Sequence, residues 1–139
     1  NRNAWRRDEV VPSSELLQQV AARWPVTPLA GSYHGEVATR YRYADDAGEI
    51  GFISSVSAPF CGDCTRARLS SEGVFYTCLF ATSGTDLRGL LRGGASDDEL
   101  ADLLRTAWTG RDDRYSEQRE ALRRREQPLR KIEMHYIGG

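Results

Sequence analysis

Long apolar runs are missing from this 139-residue chain. None approaches the ~20 residues that a membrane-spanning helix needs, and no signal-peptide segment is present, so we expect neither a membrane partner nor secretion. Lysine is nearly absent as well, because Lys131 is the only one and arginine carries the rest of the positive charge. The net charge of −1 argues against a general attraction to nucleic acid, which we do not expect as a partner.

Cysteine is also scarce. Cys61, Cys64 and Cys78 are the whole complement, with the spacing C-x2-C-x13-C. An odd number of cysteines without a secretion signal fits a reducing cytoplasm, where thiols ligate metal more often than they pair. A closed zinc site takes four nitrogen or sulfur ligands, whereas a cluster or a catalytic metal can keep one position open. The spacing therefore predicts a metal site with these three protein ligands and an open fourth position.

The spacing alone leaves other interpretations open. In one, the cysteines are three unrelated thiols. In the other, they form a zinc site completed by His34 or His135, which are the only histidines. Between iron–sulfur and zinc the spacing does not decide.

Hydrophobic periodicity predicts antiparallel β-hairpins followed by helices, an α+β fold in one domain over residues 1–139. The first hairpin pairs residues 37–43 with residues 50–56. The second pairs residues 66–70 with residues 74–78, around a turn that contains a glycine for positive φ.

Four helices are predicted: from Pro12 to Pro25, over residues 86–92, between Ser96 and Gly110, and over residues 116–126. Trp24, on the apolar face of the first helix, is expected in the core. Thr85 is expected to cap the second helix, whose leucines face inward. Ser96 and Glu99 form a capping-box pattern at the start of the third helix.

Two arginines follow the cysteine loop at alternate positions. If the chain runs as a strand from Cys64, the side chains of Cys64, Arg66 and Arg68 share one face. Arginine suits a bidentate grip on phosphate or carboxylate. The pattern then predicts a nucleotide-like ligand with one end at the metal and a phosphate tail on the arginines. Two solvated strand residues are the alternative.

A family resemblance begins in the segment GFISSVSAPFCGDCTRARL, residues 51–69. Together with Cys78-Leu79-Phe80, Asp86-Leu87-Arg88 and Gly138-Gly139, this segment resembles the C-terminal part of the MoaA family. Members of that family are the radical SAM GTP 3′,8-cyclases of molybdenum cofactor biosynthesis. The similarity extends through essentially the whole chain and is most specific in residues 51–80.

The resemblance implies a [4Fe–4S] cluster held by Cys61, Cys64 and Cys78. In that family the cluster lies at the C-terminal end of an incomplete triosephosphate-isomerase-type barrel, which this part of the protein caps. Its fourth iron has no protein ligand and binds the guanine base of GTP. The reaction converts GTP to (8S)-3′,8-cyclo-7,8-dihydroguanosine 5′-triphosphate.

The same resemblance implies that Arg66 and Arg68 contact the triphosphate of GTP, with the backbone at Ala67 close by. It also implies that Gly138 and Gly139 reach into the active site and support catalysis. A flexible terminus is the simpler interpretation of these two glycines. These two glycines also suggest another hypothesis for the function, a ubiquitin-like sulfur carrier.

One motif of that family is missing. The C-x3-C-x2-C motif, which binds the second [4Fe–4S] cluster that cleaves S-adenosylmethionine, does not occur here. The sequence opens at Asn1 without a methionine, so we expect a part of a larger protein that lacks the N-terminal radical SAM domain and is inactive by itself. The expected partners are GTP, that domain and a second copy of the chain. The competing function is a structural zinc-binding interaction module without a catalytic role.

Overall fold

The computed structural model describes residues 6–124, Ile132 and Tyr136. The chain divides into two compact units, Asn1–Cys64 and Thr65–Gly139. Each unit contains a three-stranded antiparallel sheet together with helix, which confirms the predicted α+β class. Within the described residues, no helix is both long enough and apolar enough to cross a membrane.

The first unit begins with helix α1, Ser13–Ala21. Its start agrees with the prediction, but it ends before Trp24. That tryptophan precedes Pro25, and a residue before proline is disfavoured in the helical region, so the helix stops early. The side chain of Trp24 is 54% exposed, and the prediction that it belongs to the core is wrong.

The sheet of the first unit has the order β1-β2-β3. Strands β2, Thr39–Tyr43, and β3, Glu49–Phe52, form the predicted hairpin, although β3 ends four residues earlier than expected. Strand β1, Val26–Pro28, pairs with β2 so that Val26 lies opposite Tyr43. This strand was not predicted, because three residues, the last of them a proline, are too few to show alternation.

The sheet of the second unit has the order β4-β5-β6, and all three strands are short. They are Arg68–Leu69, Val74–Tyr76 and Thr85–Asp86. The β4–β5 hairpin was predicted, and Gly73 in its turn has the positive φ, 76°, that favours glycine. The carbonyl oxygen of Gly73 accepts hydrogen bonds from the N–H groups of Leu87 and Arg88, at 2.9 and 3.2 Å. The turn therefore satisfies two amide groups at the start of the next helix.

Helix α2, Leu87–Arg92, was expected to be capped by Thr85. The cap is Asp86 instead, whose carboxylate accepts a hydrogen bond from the Gly89 N–H at 2.9 Å, while Thr85 is used in β6. Leu90 and Leu91 are 42% and 61% exposed, so the prediction that they face inward is wrong for both. The helix has six residues and packs against β5 and α3, and Leu87 is its half-buried leucine.

Helices α3, Asp97–Thr109, and α4, Tyr115–Arg124, follow. The capping box at the start of α3 is confirmed. The hydroxyl of Ser96 accepts a hydrogen bond from the Glu99 N–H at 3.3 Å, and the Glu99 carboxylate accepts one from the Ser96 N–H at 2.8 Å. These bonds hold the pKa of Glu99 below its usual value, the backbone N–H being the main cause. Gly110 ends α3, as predicted.

The core of the second unit centres on two side chains, Tyr76 and Ala81, which are 4% and 8% exposed. The partly buried apolar residues packed against them are Val74, Cys78, Leu79 and Ile132. Gly84 lies so close to the Tyr76 ring that an added Cβ would stand 2.6 Å from its Cε1 atom. Cys78 is therefore attached to the best-packed part of this unit.

Candidate metal centre

Cys61 and Cys64 are presented by one tight turn in the first unit. Residues Cys61–Asp63 form a single 3-10 turn, and the N–H of Cys64 donates to the carbonyl oxygen of Cys61 at 3.3 Å. Cys64 itself is extended, with φ −68° and ψ 120°. Both cysteines are half-buried. A turn of this kind brings two thiols out of one short loop, which is what the C-x2-C spacing predicts.

Cys78 lies in the second unit, two residues after the end of β5. It is half-buried and packs against the Tyr76 and Ala81 core. Its sulfur accepts a hydrogen bond from the backbone N–H of Phe80, with an N···S distance of 3.4 Å. Hydrogen bonds of this kind adjust the properties of metal-bound thiolates.

The donor chemistry fits an iron–sulfur group. None of the three cysteines, all of which lie in the described residues, forms a disulfide. Thiols in this state, one of them accepting an N–H···S bond, are the ligands such a group takes. In residues 6–124, Ile132 and Tyr136, no three His, Cys, Asp or Glu side chains form a group that could hold a metal ion. The three-cysteine site therefore stays a prediction.

The two histidines that could complete a zinc site differ in whether the structure describes them. His34 is exposed in the first unit. His135 lies outside the described residues.

The strand expected after Cys64 forms later than predicted. Paired structure begins only at Arg68, because residues 64–67 make no ladder. The prediction of a strand from Arg66 is therefore wrong by two residues. Arg66, Ala67 and Arg68 are all half-buried. That Cys64 and the arginines share a face remains a prediction.

Arg68 has an incomplete set of hydrogen-bond partners. It lies opposite Tyr76 in the β4–β5 register, so the two side chains project from the same face. Its Nη1 donates to the carbonyl oxygen of Ala67 at 3.1 Å, whereas its Nε is buried with no hydrogen-bond partner. A buried donor without a partner costs free energy, and a phosphate oxygen would supply the missing acceptor.

Arg40, in the first unit, differs from Arg68 in the balance of its charge, although its Nε likewise has no hydrogen-bond partner of good geometry. It forms ion pairs with Glu36 at 2.9 Å and Glu49 at 2.8 Å. These carboxylates balance the charge of Arg40 and explain its position structurally. Arg68 instead bonds to a neutral carbonyl, so its charge is available to an anionic ligand.

The C-terminal segment contacts the second unit at two described points. The N–H of Ile132 donates to the carbonyl oxygen of Ala81 at 3.2 Å. The hydroxyl of Tyr136 donates to the Glu72 carboxylate in the β4–β5 turn, and this bond raises the pKa of Tyr136. Gly138 and Gly139, the predicted catalytic glycines, lie outside the described residues.

Sequence reasoning missed an aromatic contact beside Cys78. The Phe80 ring stacks on Tyr115 of α4, with centroids 4.5 Å apart and an interplanar angle of 28°. The guanidinium of Arg119 lies 5.7 Å from the Phe80 centroid and 5.6 Å from that of Tyr115. The four-residue spacing of Tyr115 and Arg119 shows that they share a helix face, but nothing local reveals Phe80 as their partner.

An open depression between α2 and α3 contains none of the predicted site residues. Its two acidic side chains are Asp86 and Glu99. Both carboxylates already cap a helix, by bonds to Gly89 and Ser96. Helix capping therefore accounts for the two carboxylates in the depression.

The described strands and helices define a domain of the α+β class, and comparison with known proteins identifies its family. The family model described as Molybdenum Cofactor Synthesis C matches residues 1–117. Since this match covers most of the sequence, the chain belongs to the Molybdenum Cofactor Synthesis C family.

Individual relatives agree with this assignment. The chain is 52% identical over 137 residues to a GTP 3′,8-cyclase of Xanthomonas campestris pv. campestris (strain B100), covering 99% of this chain and 39% of the relative. It is 44% identical over 140 residues to a GTP 3′,8-cyclase of Staphylococcus haemolyticus, covering 100% and 41%. A GTP 3′,8-cyclase of Acidothermus cellulolyticus is 43% identical over 161 residues, covering 100% and 44%. The chain thus spans about two fifths of the length of these relatives.

Proposed function

We propose that this chain is the cluster-binding and GTP-binding domain of a GTP 3′,8-cyclase in molybdenum cofactor biosynthesis. The family match and the names of the relatives support the assignment. One structural observation carries it: Arg68 projects from the same face as Tyr76, and Cys78 packs against the core cluster that Tyr76 forms with Ala81. A predicted phosphate contact and a predicted metal ligand therefore border the same small core.

Cys61, Cys64 and Cys78 would hold the cluster. When bound, a [4Fe–4S] cluster with three protein ligands supplies an iron with an open position for the guanine base of GTP. The tight turn presents the sulfurs of Cys61 and Cys64 from one short loop, and the Phe80 N–H donates to the sulfur of Cys78. These cysteines are half-buried, which reduces the access of water to them.

Arg66 and Arg68 would bind the triphosphate, with the backbone at Ala67 beside them. A phosphate oxygen would accept the hydrogen bond that Arg68 Nε does not make within the domain. Hydrogen bonds to charged groups contribute about 1.5–3 kcal/mol each. Phosphate binding would thus give the buried Nε of Arg68 a hydrogen-bond partner and would also add an attraction between opposite charges.

The remaining steps of the reaction belong to the rest of the protein in this proposal. The chain corresponds to about two fifths of its relatives. A radical SAM domain with its own [4Fe–4S] cluster and S-adenosylmethionine would start the conversion of GTP to (8S)-3′,8-cyclo-7,8-dihydroguanosine 5′-triphosphate. We propose that the protein works in the cytoplasm as a homodimer, with Gly138 and Gly139 supporting catalysis, and that this chain alone is inactive.

Anaerobic reconstitution with iron and sulfide tests the proposal. We expect about four irons per chain and a change in the EPR spectrum when GTP is added. Cys78→Ser should lose iron, whereas Ser83→Ala, at an exposed loop position, should keep it. Stoichiometric zinc in a tetrahedral four-ligand site would instead support the structural zinc module.

A further inference from the structure

Cys78 is flanked on both sides by residues that contact one short segment. The hydroxyl of Thr77, just before it, donates to the carboxylate of Asp113. The ring of Phe80, two residues after it, stacks on Tyr115. Residues 113–115 therefore fix the chain immediately before and after the sulfur.

Arg119 strengthens the second of these contacts. It lies one helical turn after Tyr115, on the same face of α4. Its guanidinium is within 6 Å of both ring centroids, at 5.7 and 5.6 Å, where a cation attracts the faces of aromatic rings. The cation thereby holds the two stacked rings together.

The stacked ring and the backbone N–H belong to the same residue, Phe80, so restraining the ring limits the movement of the backbone at that residue. That N–H donates to the Cys78 sulfur at 3.4 Å. We propose that Asp113, Tyr115 and Arg119, together termed the brace, are positioning residues that hold Phe80 and Thr77 so that this N–H···S bond forms. The inference rests on the proposed function, because it gives Cys78 the role of a cluster ligand.

The brace has a defined effect on a bound cluster. Hydrogen bonds to the cluster sulfurs influence the reduction potential. They stabilise negative charge on sulfur, so they favour the reduced cluster, which carries more negative charge, and raise the potential. Loosening the brace weakens the bond from Phe80. The reduction potential then becomes more negative, while the number of cysteine ligands is unchanged.

The first experiment uses the metal-free chain. Tyr115→Ala removes the stacked ring, Tyr115→Phe retains it, and Gln118→Ala changes an exposed residue of the same helix. We expect exchange of the Phe80 amide hydrogen, followed by 15N NMR, to rise roughly two- to tenfold in Tyr115→Ala, the fold-change given by loss of one aromatic pair. Unchanged exchange in Tyr115→Ala would overturn the proposal, as would an equal rise in Gln118→Ala.

A second variant guards against unfolding of α4. Thr77→Val removes the hydroxyl that bonds to Asp113 but leaves α4 intact. If circular dichroism shows that Tyr115→Ala melts the helix, exchange at Phe80 in Thr77→Val decides the question. A rise supports the brace, and no change refutes it.

The second experiment uses the reconstituted chain. At equal iron content, the reduction potential of Tyr115→Ala should lie below that of the unaltered chain, and that of Tyr115→Phe should match it. Equal potentials in all three would overturn the proposed effect on the cluster. If the unaltered chain takes up no iron, the proposed function fails, and the amide exchange still decides whether the brace positions Phe80.

Discussion

Arg68 lies directly opposite Tyr76 across the β4–β5 ladder, and Cys78 packs against the core that Tyr76 forms with Ala81. Tyr76 is 4% exposed, so the residue between the two predicted binding groups has little freedom to move. The proposed phosphate contact and the proposed metal ligand therefore depend on the same core packing. A change at Tyr76 or its neighbours should affect both.

Replacing Arg68 with methionine should separate stability from binding. The buried Nε without a partner disappears, so the free energy of unfolding should fall by less than about 1 kcal/mol or rise slightly. Binding of GTP to the reconstituted chain should weaken roughly tenfold to hundredfold, because a charged phosphate contact is lost. Chemical denaturation and isothermal titration calorimetry measure the two quantities.

The matched control is Arg40→Met in the first unit. Arg40 has Glu36 and Glu49 as partners, so its removal should lower the free energy of unfolding and leave GTP binding unchanged. If Arg68→Met binds GTP as tightly as the unaltered chain, Arg68 has no phosphate role.

Adding a methyl group at Gly84 should disturb the core beneath Cys78. The new Cβ would stand 2.6 Å from a carbon of the Tyr76 ring, a distance that forces the ring or the loop to move. We expect Gly84→Ala to lower the free energy of unfolding by about 1–3 kcal/mol, the usual cost of overpacking. Iron content after reconstitution should fall with it.

Gly51→Ala serves as the control for this substitution. Its added Cβ would meet Ala38 and Arg40 at 3.6 Å, which is ordinary contact. Normal stability and iron content in Gly84→Ala would show that Tyr76 does not hold Cys78 in place.

The capping box of α3 should contribute to stability but not to the site. Ser96→Ala removes the acceptor for the Glu99 N–H and should cost about 1 kcal/mol in the free energy of unfolding. Ser83→Ala, in an exposed loop, should have no effect. Iron content and GTP affinity should be unchanged in both variants, and a loss of either in Ser96→Ala would argue that α3 takes part in binding.

The β2–β3 hairpin should show a pH dependence that originates at Glu49. The guanidinium of Arg42, and to a smaller degree that of Arg40, holds the pKa of the Glu49 carboxyl below its ordinary 4.5. A lowered pKa means that the folded state favours the charged carboxylate. The resulting stabilisation is present above the ordinary pKa and is lost as the pH falls through the folded-state pKa.

A 13C NMR titration of the Glu49 carboxyl should therefore give a midpoint below 4.5. Arg42→Gln should move that midpoint upward, toward the ordinary value. A midpoint that does not respond to Arg42→Gln would contradict the assigned cause.

The sequence predicted those parts of the fold that depend on local signals. Alternation identified both hairpins, a glycine marked the turn at Gly73, and the spacing of Ser96 and Glu99 marked the start of α3. Strands β1 and β6 were missed because two or three residues show no period, and pairing with a neighbour creates them. The exposure of Trp24 and Leu91 was also missed, since periodicity reveals a face but not what covers it.

The candidate site divides in the same way. The turn of Cys61 and Cys64 was readable from spacing, and the arginines from chemistry. The unpaired Nε of Arg68 and the N–H···S bond at Cys78 were not readable, because both depend on short contacts in the folded chain. Tyr115 stacks on Phe80 across 35 positions of sequence, a separation over which no local pattern extends.

The two hydrogen bonds accepted by the Gly73 carbonyl have a consequence for the order of folding. Helix α2 has six residues, well below the ~12–15 at which an isolated helix becomes marginally stable in water. Its first amide groups find their acceptor only when the β4–β5 turn already exists. The hairpin should therefore form first, and α2 should grow from it as a late step.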